Sequence, residues 1–191
     1  MAVATEQGTV HILNTTKRND WDCGKCSINF LLSTSFNALL EPPRTTMQPH
    51  HNGVFDVRWS ADDRSIATCS GDQSTRISCV ETGTITHVLR GHTSTVKCIA
   101  WNPSNTSLLA TGGRDGAICL WDLRLAERMQ DDNIMAASPV TIIHGAHEDT
   151  IVKSKPKPRK GKQSATPRTI TNVLYPDTLP FSLISSSSFD G

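Results

Sequence analysis

Aromatic side chains and long apolar runs are scarce in this sequence. Aromatic residues make up 5% of the 191 positions, and a single one of them is tyrosine. The longest apolar runs are stretches such as residues 140–143, far below the roughly 18 residues that a membrane-spanning helix requires. The first residues, MAVATEQG, lack the cationic start and apolar core of a signal peptide. We therefore expect no membrane partner, and we interpret the six cysteines as cytosolic or nuclear thiols.

The overall charge is also small, but it is unevenly distributed. The formal net charge is +1, from 19 basic and 18 acidic residues. Seven basic residues fall in one stretch that contains no acid, and without them the rest of the chain carries a charge of −6. The positive charge is therefore a local feature. The basic residues of this stretch are Lys153, Lys155, Lys157, Arg159, Lys160, Lys162 and Arg168.

Two segments of the chain are repeats of each other. His50 to Trp59 aligns with His92 to Trp101 at an offset of 42 residues, and Ser65 to Cys79 aligns with Leu108 to Asp122 at an offset of 43. Both copies alternate short runs of β-branched and apolar residues with Gly, Asn and Asp turns, a pattern typical of short antiparallel strands. A period near 42 residues suits a four-stranded propeller blade.

The second copy resembles the WD-repeat family at the residues that define that family. It begins with Gly91-His92 and ends on Trp121-Asp122, with Thr111 and Asp115 between them. The resemblance implies a buried hydrogen-bond network of His92, Thr111, Asp115 and Trp121. Such a network stabilises the fold when every member has a partner.

The first copy has part of the same set. It supplies His50, Thr68 and Asp72 for the network. Ser78 and Cys79 stand where the family has Trp and Asp. We therefore expect the network of this copy to be incomplete.

The repeats predict an all-β fold, an incomplete WD-repeat propeller of about two full blades and two partial ones. A closed ring of seven such blades does not fit in this length. We therefore expect a fragment of a longer protein, or a gene model without some exons, that aggregates when expressed alone because its strand edges are uncovered. The predicted organisation is the end of a partial blade at 1–14, an irregular connection at 15–47, a WD-like blade at 48–90, a WD blade at 91–135, and a partial blade at 136–191 with a disordered basic insertion at about 150–168.

Three features in this order resemble the denticleless family, the WD-repeat substrate receptors of cullin-RING ubiquitin ligases. They are VFDVRW followed by SGDQST, then GGRDGAICLWDLR, and then GAH before a long insertion rich in Lys, Pro and Ser. In that family a WDxR tetrapeptide docks the receptor on the ligase adaptor, which implies this role for Trp121, Asp122 and Arg124. Trp121 and Asp122 would fix the end of a strand, and Arg124 would project from it as a fork of donors. The alternative is that Arg124 is an ordinary solvated residue.

The same resemblance implies a nuclear protein that binds others and catalyses nothing itself. Its partners would be the ligase adaptor and protein substrates, namely replication-licensing factors and cell-cycle inhibitors presented on the DNA sliding clamp. Its contribution would be to raise the local concentration of substrate near the ligase. A generic WD-repeat scaffold whose basic loop contacts RNA or chromatin is the alternative function.

The basic stretch itself allows three interpretations. Lys153 to Lys162 alternates Lys with Pro and has no apolar anchor, so it predicts a disordered loop. It is a nuclear import signal, a weak electrostatic contact to nucleic acid, or a solvated insertion. No helix or aromatic platform accompanies the charge, so we expect no sequence-specific nucleic-acid binding.

The cysteines and catalytic motifs point away from a metal site and an enzyme. Cys23 and Cys26 form a CxxC pair, but one pair gives two of the four ligands that a structural zinc ion needs. Cys69, Cys98 and Cys119 fall at strand positions and are interpreted as small buried hydrophobes. Neither a nucleophile elbow nor a phosphate-binding loop occurs in the sequence. We therefore expect no metal, no cofactor and no catalytic residue.

Overall fold

The computed structural model describes residues 1–13, 44–128, 134–147, 168–176 and 182–188. These residues form short strands in four sheets, with one turn of 3-10 helix at Leu123–Leu125. No helix in the described ranges is long and apolar enough to cross a membrane.

Several sequence predictions lie outside the described residues. These are the basic stretch from Lys153 to Lys162, the CxxC pair of Cys23 and Cys26, and residues 14–43 of the predicted connection. The structure therefore neither supports nor opposes the interpretations given for them.

The first sheet is a three-stranded antiparallel unit at the start of the chain. It contains β1 (Ala2–Ala4), β2 (Val10–Ile12) and β3 (Thr45–Met47), in that order. The third strand lies inside the segment predicted as an irregular connection. Thr45 and Met47 pair with Ile12 and Val10, and this pairing buries Met47 against the sheet. The partial blade thus extends beyond residue 14, because a distant segment supplies its outer strand.

The second sheet contains the whole first repeat. Its four consecutive antiparallel strands are β4 (Val54–Trp59), β5 (Ser65–Ser70), β6 (Ser74–Cys79) and β7 (Ile85–Arg90). Two more strands extend its outer edge, β11 (Glu127–Arg128) and β12 (Met135–Ala137), and β12 pairs with β7 in parallel. Residues that follow the second repeat therefore cover the outer edge of the first blade.

The third sheet contains the second repeat. It is formed by β8 (Val96–Asn102), β9 (Asn105–Gly113), β10 (Ile118–Asp122) and β13 (Thr141–Ile143). The sequence placed the end of this blade at residue 135, but its fourth strand lies beyond that point. The reason is that the intervening chain leaves the blade to form β11 and β12 on the neighbouring sheet before it returns as β13.

The fourth sheet pairs β14 (Thr169–Leu174) with β15 (Ile184–Ser188). One apolar cluster lies between each pair of successive sheets, and the one between the second and third includes Ile77, Leu89 and Trp121. Cys69, Cys98 and Cys119 are buried in these clusters, which confirms the prediction that they are small core residues. A six-stranded and a four-stranded sheet, flanked by smaller sheets, confirm the predicted all-β, incomplete propeller.

Candidate functional site

The structure brings together the four polar residues of the second repeat. His92 donates from Nδ1 to the Asp115 carboxylate, at 3.0 Å to Oδ2, and its Nε2 lies 2.8 Å from Thr111 Oγ1. Trp121 donates from Nε1 to the same hydroxyl oxygen at 2.9 Å. Because ionised Asp115 only accepts, the chain of bonds is satisfied when the Thr111 hydroxyl donates to His92 Nε2. The network joins strand β9 to strand β10 and to the segment that precedes β8.

Asp115 anchors one end of this network as a carboxylate. Burial raises the pKa of Asp115, but its bonds with His92 and with the backbone N–H groups of Thr93 and Ala117 outweigh burial and lower the pKa to about 2. The carboxylate is therefore ionised at neutral pH and accepts hydrogen bonds from His92, Thr93 and Ala117. Gly113 makes this close packing feasible, because a Cβ atom at that position would lie 2.7 Å from His92 Nδ1.

The first repeat has a shorter version of the same network. His50 donates from Nδ1 to Asp72 Oδ2 at 2.8 Å, and its Nε2 lies 2.9 Å from Thr68 Oγ1. Burial raises the pKa of Asp72, but bonds with His50 and Ser74 outweigh it and hold the pKa well below the ordinary value. Among the described residues no indole reaches the hydroxyl of Thr68, which lies 3.2 Å from the carbonyl oxygen of Arg76.

Ser78 occupies the position that corresponds to Trp121. It is fully buried, and its hydroxyl has no hydrogen-bond partner in the described structure. The network of the first repeat therefore ends at the threonine, and a buried polar atom lies where the second repeat has an indole.

Arg124 follows the second repeat on an exposed turn. Its side chain is 64% exposed and lies on the 3-10 turn that begins after Asp122. The guanidinium does not simply project, because its Nε donates to Asp122 Oδ1 at 2.8 Å and its Nη2 donates to Oδ2. The hydrogen bond from Arg124 lowers the pKa of Asp122, and Asp122 in turn raises the pKa of Arg124.

Trp121, Asp122 and Arg124 thus form a continuous unit from the core to the surface. The Trp121 indole is fixed inside the blade by Thr111. The Asp122 carboxylate caps the turn by accepting from the backbone N–H of Arg124 at 3.0 Å. The outer N–H groups of the guanidinium stay available in a fixed orientation, which is the form in which arginine recognises carboxylates and carbonyls. Leu125, beside it, is 66% exposed.

Sequence reasoning missed a set of contacts between the two repeats. Asp56 on β4 accepts from the backbone N–H of Ile99 at 3.0 Å and from Arg58 Nε at 3.2 Å. Trp101 on β8 donates from Nε1 to the carbonyl oxygen of Arg58 at 3.2 Å. Burial raises the pKa of Asp56 despite these donors. The sequence signal for this contact was Asp56, an acidic residue inside the VFDVRW segment, which the alternating pattern predicts to be a strand.

The cysteines of the described core offer no reactive thiolate. Burial raises the pKa of Cys98 and of Cys119 to about 12 and that of Cys69 well above its ordinary value. Within the described ranges, no group of three or more His, Cys, Asp or Glu side chains is arranged to hold a metal ion.

Comparison with known proteins bears on both repeats. The family described as "WD domain, G-beta repeat" matches residues 41–77 and 83–122. The first range contains strands β3 to β5 and most of β6, and the second range contains strands β7 to β10. Both buried networks fall within the matched residues or next to them.

The whole chain also aligns with larger proteins. It is 31% identical to the denticleless protein homolog of Danio rerio over 195 residues, which is 100% of this chain and 26% of the relative. It is 28% identical to the denticleless protein homolog of Homo sapiens over 198 residues, with 24% of that protein covered. With the Drosophila melanogaster protein lethal(2)denticleless the identity is 28% over 199 residues, with 23% covered. The chain therefore spans about a quarter of the length of these curated relatives.

Proposed function

The chain is a WD40-repeat protein of the denticleless type, and on this premise we propose that it belongs to a substrate-recognition subunit of a cullin-RING ubiquitin ligase. WD40 repeats of this kind act as non-catalytic binding scaffolds. The alignment of the whole chain with denticleless proteins carries the proposal. In this function one face docks on the ligase adaptor and another receives the protein to be modified.

We propose that Arg124 makes the docking contact. Its guanidinium is exposed and oriented by Asp122, so little rotational freedom is lost when it binds. The exposed side chain of Leu125 adds apolar area next to the charge. Arginine is one of the residues enriched in binding hot spots.

Co-precipitation with the cullin adaptor tests the docking contact. The chain is compared with Arg124→Ala and with Arg124→Lys, which keeps the charge but loses the fork. We expect Arg124→Ala to weaken adaptor binding by about 2–5 kcal/mol, the range for truncation of a buried charge-assisted contact. Arg124→Lys should also bind the adaptor more weakly than wild type. Arg114→Ala is the matched control, because Arg114 is an exposed arginine of the same sheet at the turn between β9 and β10.

Two outcomes would reject parts of this proposal. Equal adaptor binding by wild type and Arg124→Ala, at matched circular dichroism, would remove Arg124 from the docking surface. No adaptor binding by wild type would favour the generic WD-repeat scaffold instead. An Asp122→Asn variant separates the orientation of the guanidinium from its presence, because it frees the guanidinium without removing it. This variant should weaken binding less than Arg124→Ala.

We further propose that the substrates are replication-licensing factors and cell-cycle inhibitors on the DNA sliding clamp. This proposal rests on the resemblance of the whole chain to denticleless proteins. Proximity labelling with the chain in replicating cells, compared with non-replicating cells, is the test. Enrichment of clamp-associated proteins during replication is expected, and equal labelling in both states would contradict it.

We also propose a nuclear location, directed by the basic stretch. A fluorescent fusion of the chain should accumulate in the nucleus, and replacement of the basic residues from Lys153 to Lys162 by Gln should abolish this. Replacement of Lys17 and Arg18 by Gln is the control, because it removes positive charge from a different segment. Unchanged nuclear accumulation without the basic stretch would reject import by this segment. Salt-dependent nucleic-acid binding that is lost with the same residues would support the alternative of a nucleic-acid contact.

A further inference from the structure

Three edge strands of successive sheets, β4, β8 and β14, each carry a β-bulge near their start, and β8 contacts both of the others. On each strand the register with the neighbouring strand shifts across one residue, and these residues are Phe55, Lys97 and Thr171. Phe55 and Lys97 are also equivalent at the repeat offset of 42 residues. A β-bulge re-aims a side chain, and bulges are over-represented next to functional sites. We call these three residues the bulge row.

The first two residues of the bulge row contact each other across the boundary between two blades. Lys97 Nζ lies 3.6 Å from the centroid of the Phe55 ring, within the range of a cation–π contact. Phe55 nevertheless stays 44% exposed. An ammonium group held over an accessible aromatic ring presents a positive charge and an apolar surface side by side.

The bulge row and Arg124 lie at opposite ends of the third sheet. Lys97 on β8 lies beside the pair formed by Gly112 and Ile118, the first residue of β10. Arg124 follows the turn that begins after the last residue of β10. The surface of the bulge row is therefore separate from the docking contact proposed above.

A second positive charge lies close to Lys97. Arg114 is exposed on the turn between β9 and β10, and its backbone N–H donates to the carbonyl oxygen of Thr95 at 2.8 Å, two residues before Lys97. Asp115, the next residue, is bonded to the donors of the buried network. Lys97 and Arg114 thus place two cationic side chains at this end of the third sheet.

The aromatic side of the bulge row carries a charge of the opposite sign. Glu6 is exposed on the turn between β1 and β2, and a Cβ atom on Gly53 would lie 3.2 Å from its carbonyl oxygen. Gly53 stands two residues before Phe55, so Glu6 bounds the row next to the ring. The positive region is therefore confined to Lys97 and Arg114. It suits the carboxylates of a short peptide segment better than a continuous run of phosphates, which Glu6 would repel.

We propose that the bulge row binds an extended peptide segment of a partner protein in which acidic and apolar residues alternate. A carboxylate of the segment accepts from Lys97 and Arg114, and a neighbouring apolar side chain packs on the exposed ring of Phe55. The Thr171 hydroxyl, exposed and 3.0 Å from Ser186 Oγ, adds a polar contact. This inference rests on the proposed function only in assigning the segment to the protein to be modified.

Fluorescence anisotropy of labelled decapeptides, titrated with the folded 191-residue chain, tests this site. Three probes repeat the pairs Asp-Leu, Asp-Ser and Lys-Leu, so that the second lacks the apolar side chains and the third lacks the carboxylates. We expect saturable binding of the Asp-Leu peptide, weaker binding of the Asp-Ser peptide and no binding of the Lys-Leu peptide.

Substitutions in the bulge row identify the contacts. Lys97→Gln and Phe55→Ala should each weaken binding of the Asp-Leu peptide about fivefold, because each removes one partly exposed contact. Arg114→Ala changes an exposed turn, so it keeps the test decisive if the strand variants do not fold, and it should have a similar effect. Arg64→Ala is the matched control, because Arg64 is an exposed arginine on the turn between β4 and β5.

Adaptor binding by the same variants separates this site from adaptor docking. We expect Arg114→Ala to lose affinity for the Asp-Leu peptide and keep the adaptor, and Arg124→Ala to do the reverse. Binding of the Asp-Leu peptide by a chain that does not bind the adaptor would support the peptide site and contradict the ligase function.

Three results would overturn the peptide site whether or not the adaptor binds. The first is the absence of saturable binding, or equal binding of the Asp-Leu and Lys-Leu peptides. The second is unchanged binding of the Asp-Leu peptide in Lys97→Gln, Phe55→Ala and Arg114→Ala. The third is displacement of the peptide by a thymidine oligonucleotide at a lower concentration, which would assign the bulge row to nucleic acid.

Discussion

The Thr111 hydroxyl forms hydrogen bonds with two buried partners, the imidazole of His92 and the indole of Trp121. Its counterpart Thr68 contacts the imidazole of His50 but no indole of the part of the chain that the structure describes. The two threonines occupy equivalent strand positions and are both fully buried. They therefore form an internal comparison of a complete network with an incomplete one.

Substitution of each threonine by valine measures this difference. Thr111→Val leaves two buried groups without a partner, and at about 1–3 kcal/mol for each such group we expect a loss of about 2–6 kcal/mol in the free energy of unfolding. Thr68→Val leaves one imidazole nitrogen unpaired and should cost about 1–3 kcal/mol. Urea denaturation of both variants is the measurement. An equal loss in the two variants would contradict the role of the indole in the network.

Asp115 gives the second residue-scale prediction, a stability that depends on pH. Its pKa is lowered from 3.8 to about 2 in the folded chain, so its contribution is fully present above the unfolded pKa and is lost as the pH falls through the folded value. The shift corresponds to about 2 kcal/mol. The stability advantage of wild type over Asp115→Asn should therefore shrink as the pH falls from about 5 towards about 2.

Thermal unfolding of wild type and Asp115→Asn at several pH values provides the measurement. The comparison isolates Asp115, because both proteins share the other acids, including Asp56, whose raised pKa gives a pH dependence of opposite sign. An advantage that stays constant over this pH range would show that the carboxylate does not supply the stabilisation.

At the scale of elements, the contact between β4 and β8 joins two neighbouring blades. Asp56 is mostly buried, and its carboxylate bonds the backbone N–H of Ile99 across the interface. Without this bond, purely apolar packing would leave the backbone N–H of Ile99 without an acceptor. Adjacent blades are thus held in register by a polar contact as well as by their shared apolar cluster.

Two substitutions at Asp56 test this contact. Asp56→Ala removes the acceptor and should lower the free energy of unfolding by about 1–3 kcal/mol, whereas Asp56→Asn keeps one acceptor and should cost less. Hydrogen exchange at the Ile99 amide reports the contact directly and should accelerate in Asp56→Ala. Unchanged exchange at Ile99 in that variant would mean that the carboxylate does not protect this amide.

At the scale of the whole molecule, the outer edges of the two full blades differ. The edge of β7 is covered by β12, whereas within the described residues β13 has no strand on its outer side. Ile142 and Ile143 on β13 are each 39% exposed, and Val140 beside it is 55% exposed. An apolar, unpaired strand edge is a site for association with other chains.

A charge placed on this edge should reduce association. We expect Ile142→Lys to lower aggregation of the chain, measured by light scattering at increasing concentration, because lysine on an edge strand opposes pairing with another strand. Ser104→Lys adds the same charge at an exposed turn and should have a smaller effect. Equal improvement in both variants would attribute the gain to net charge and not to the edge of β13.

Much of the blade interior followed from sequence because it depends on local periodicity. The repeat offset aligns the two histidines, two threonines and two turn aspartates, and alternation places them on strands. A buried polar residue needs a partner, so the polar residues within one repeat are expected to meet each other. The substitution of Ser78 for a tryptophan was likewise visible in the alignment, together with the shortened network that it causes.

The sequence by itself determined the all-β class, the repeat and the residues of the buried networks, since each of these is set by neighbours within one repeat. The tertiary structure alone decided which distant segments complete each sheet, namely β3, β12 and β13. It also decided the fold-back of Arg124 onto Asp122 and the contact of Lys97 with the Phe55 ring. These features depend on which segments meet across a sheet edge or a turn, and the pairing of backbone groups between distant segments leaves little trace in local composition.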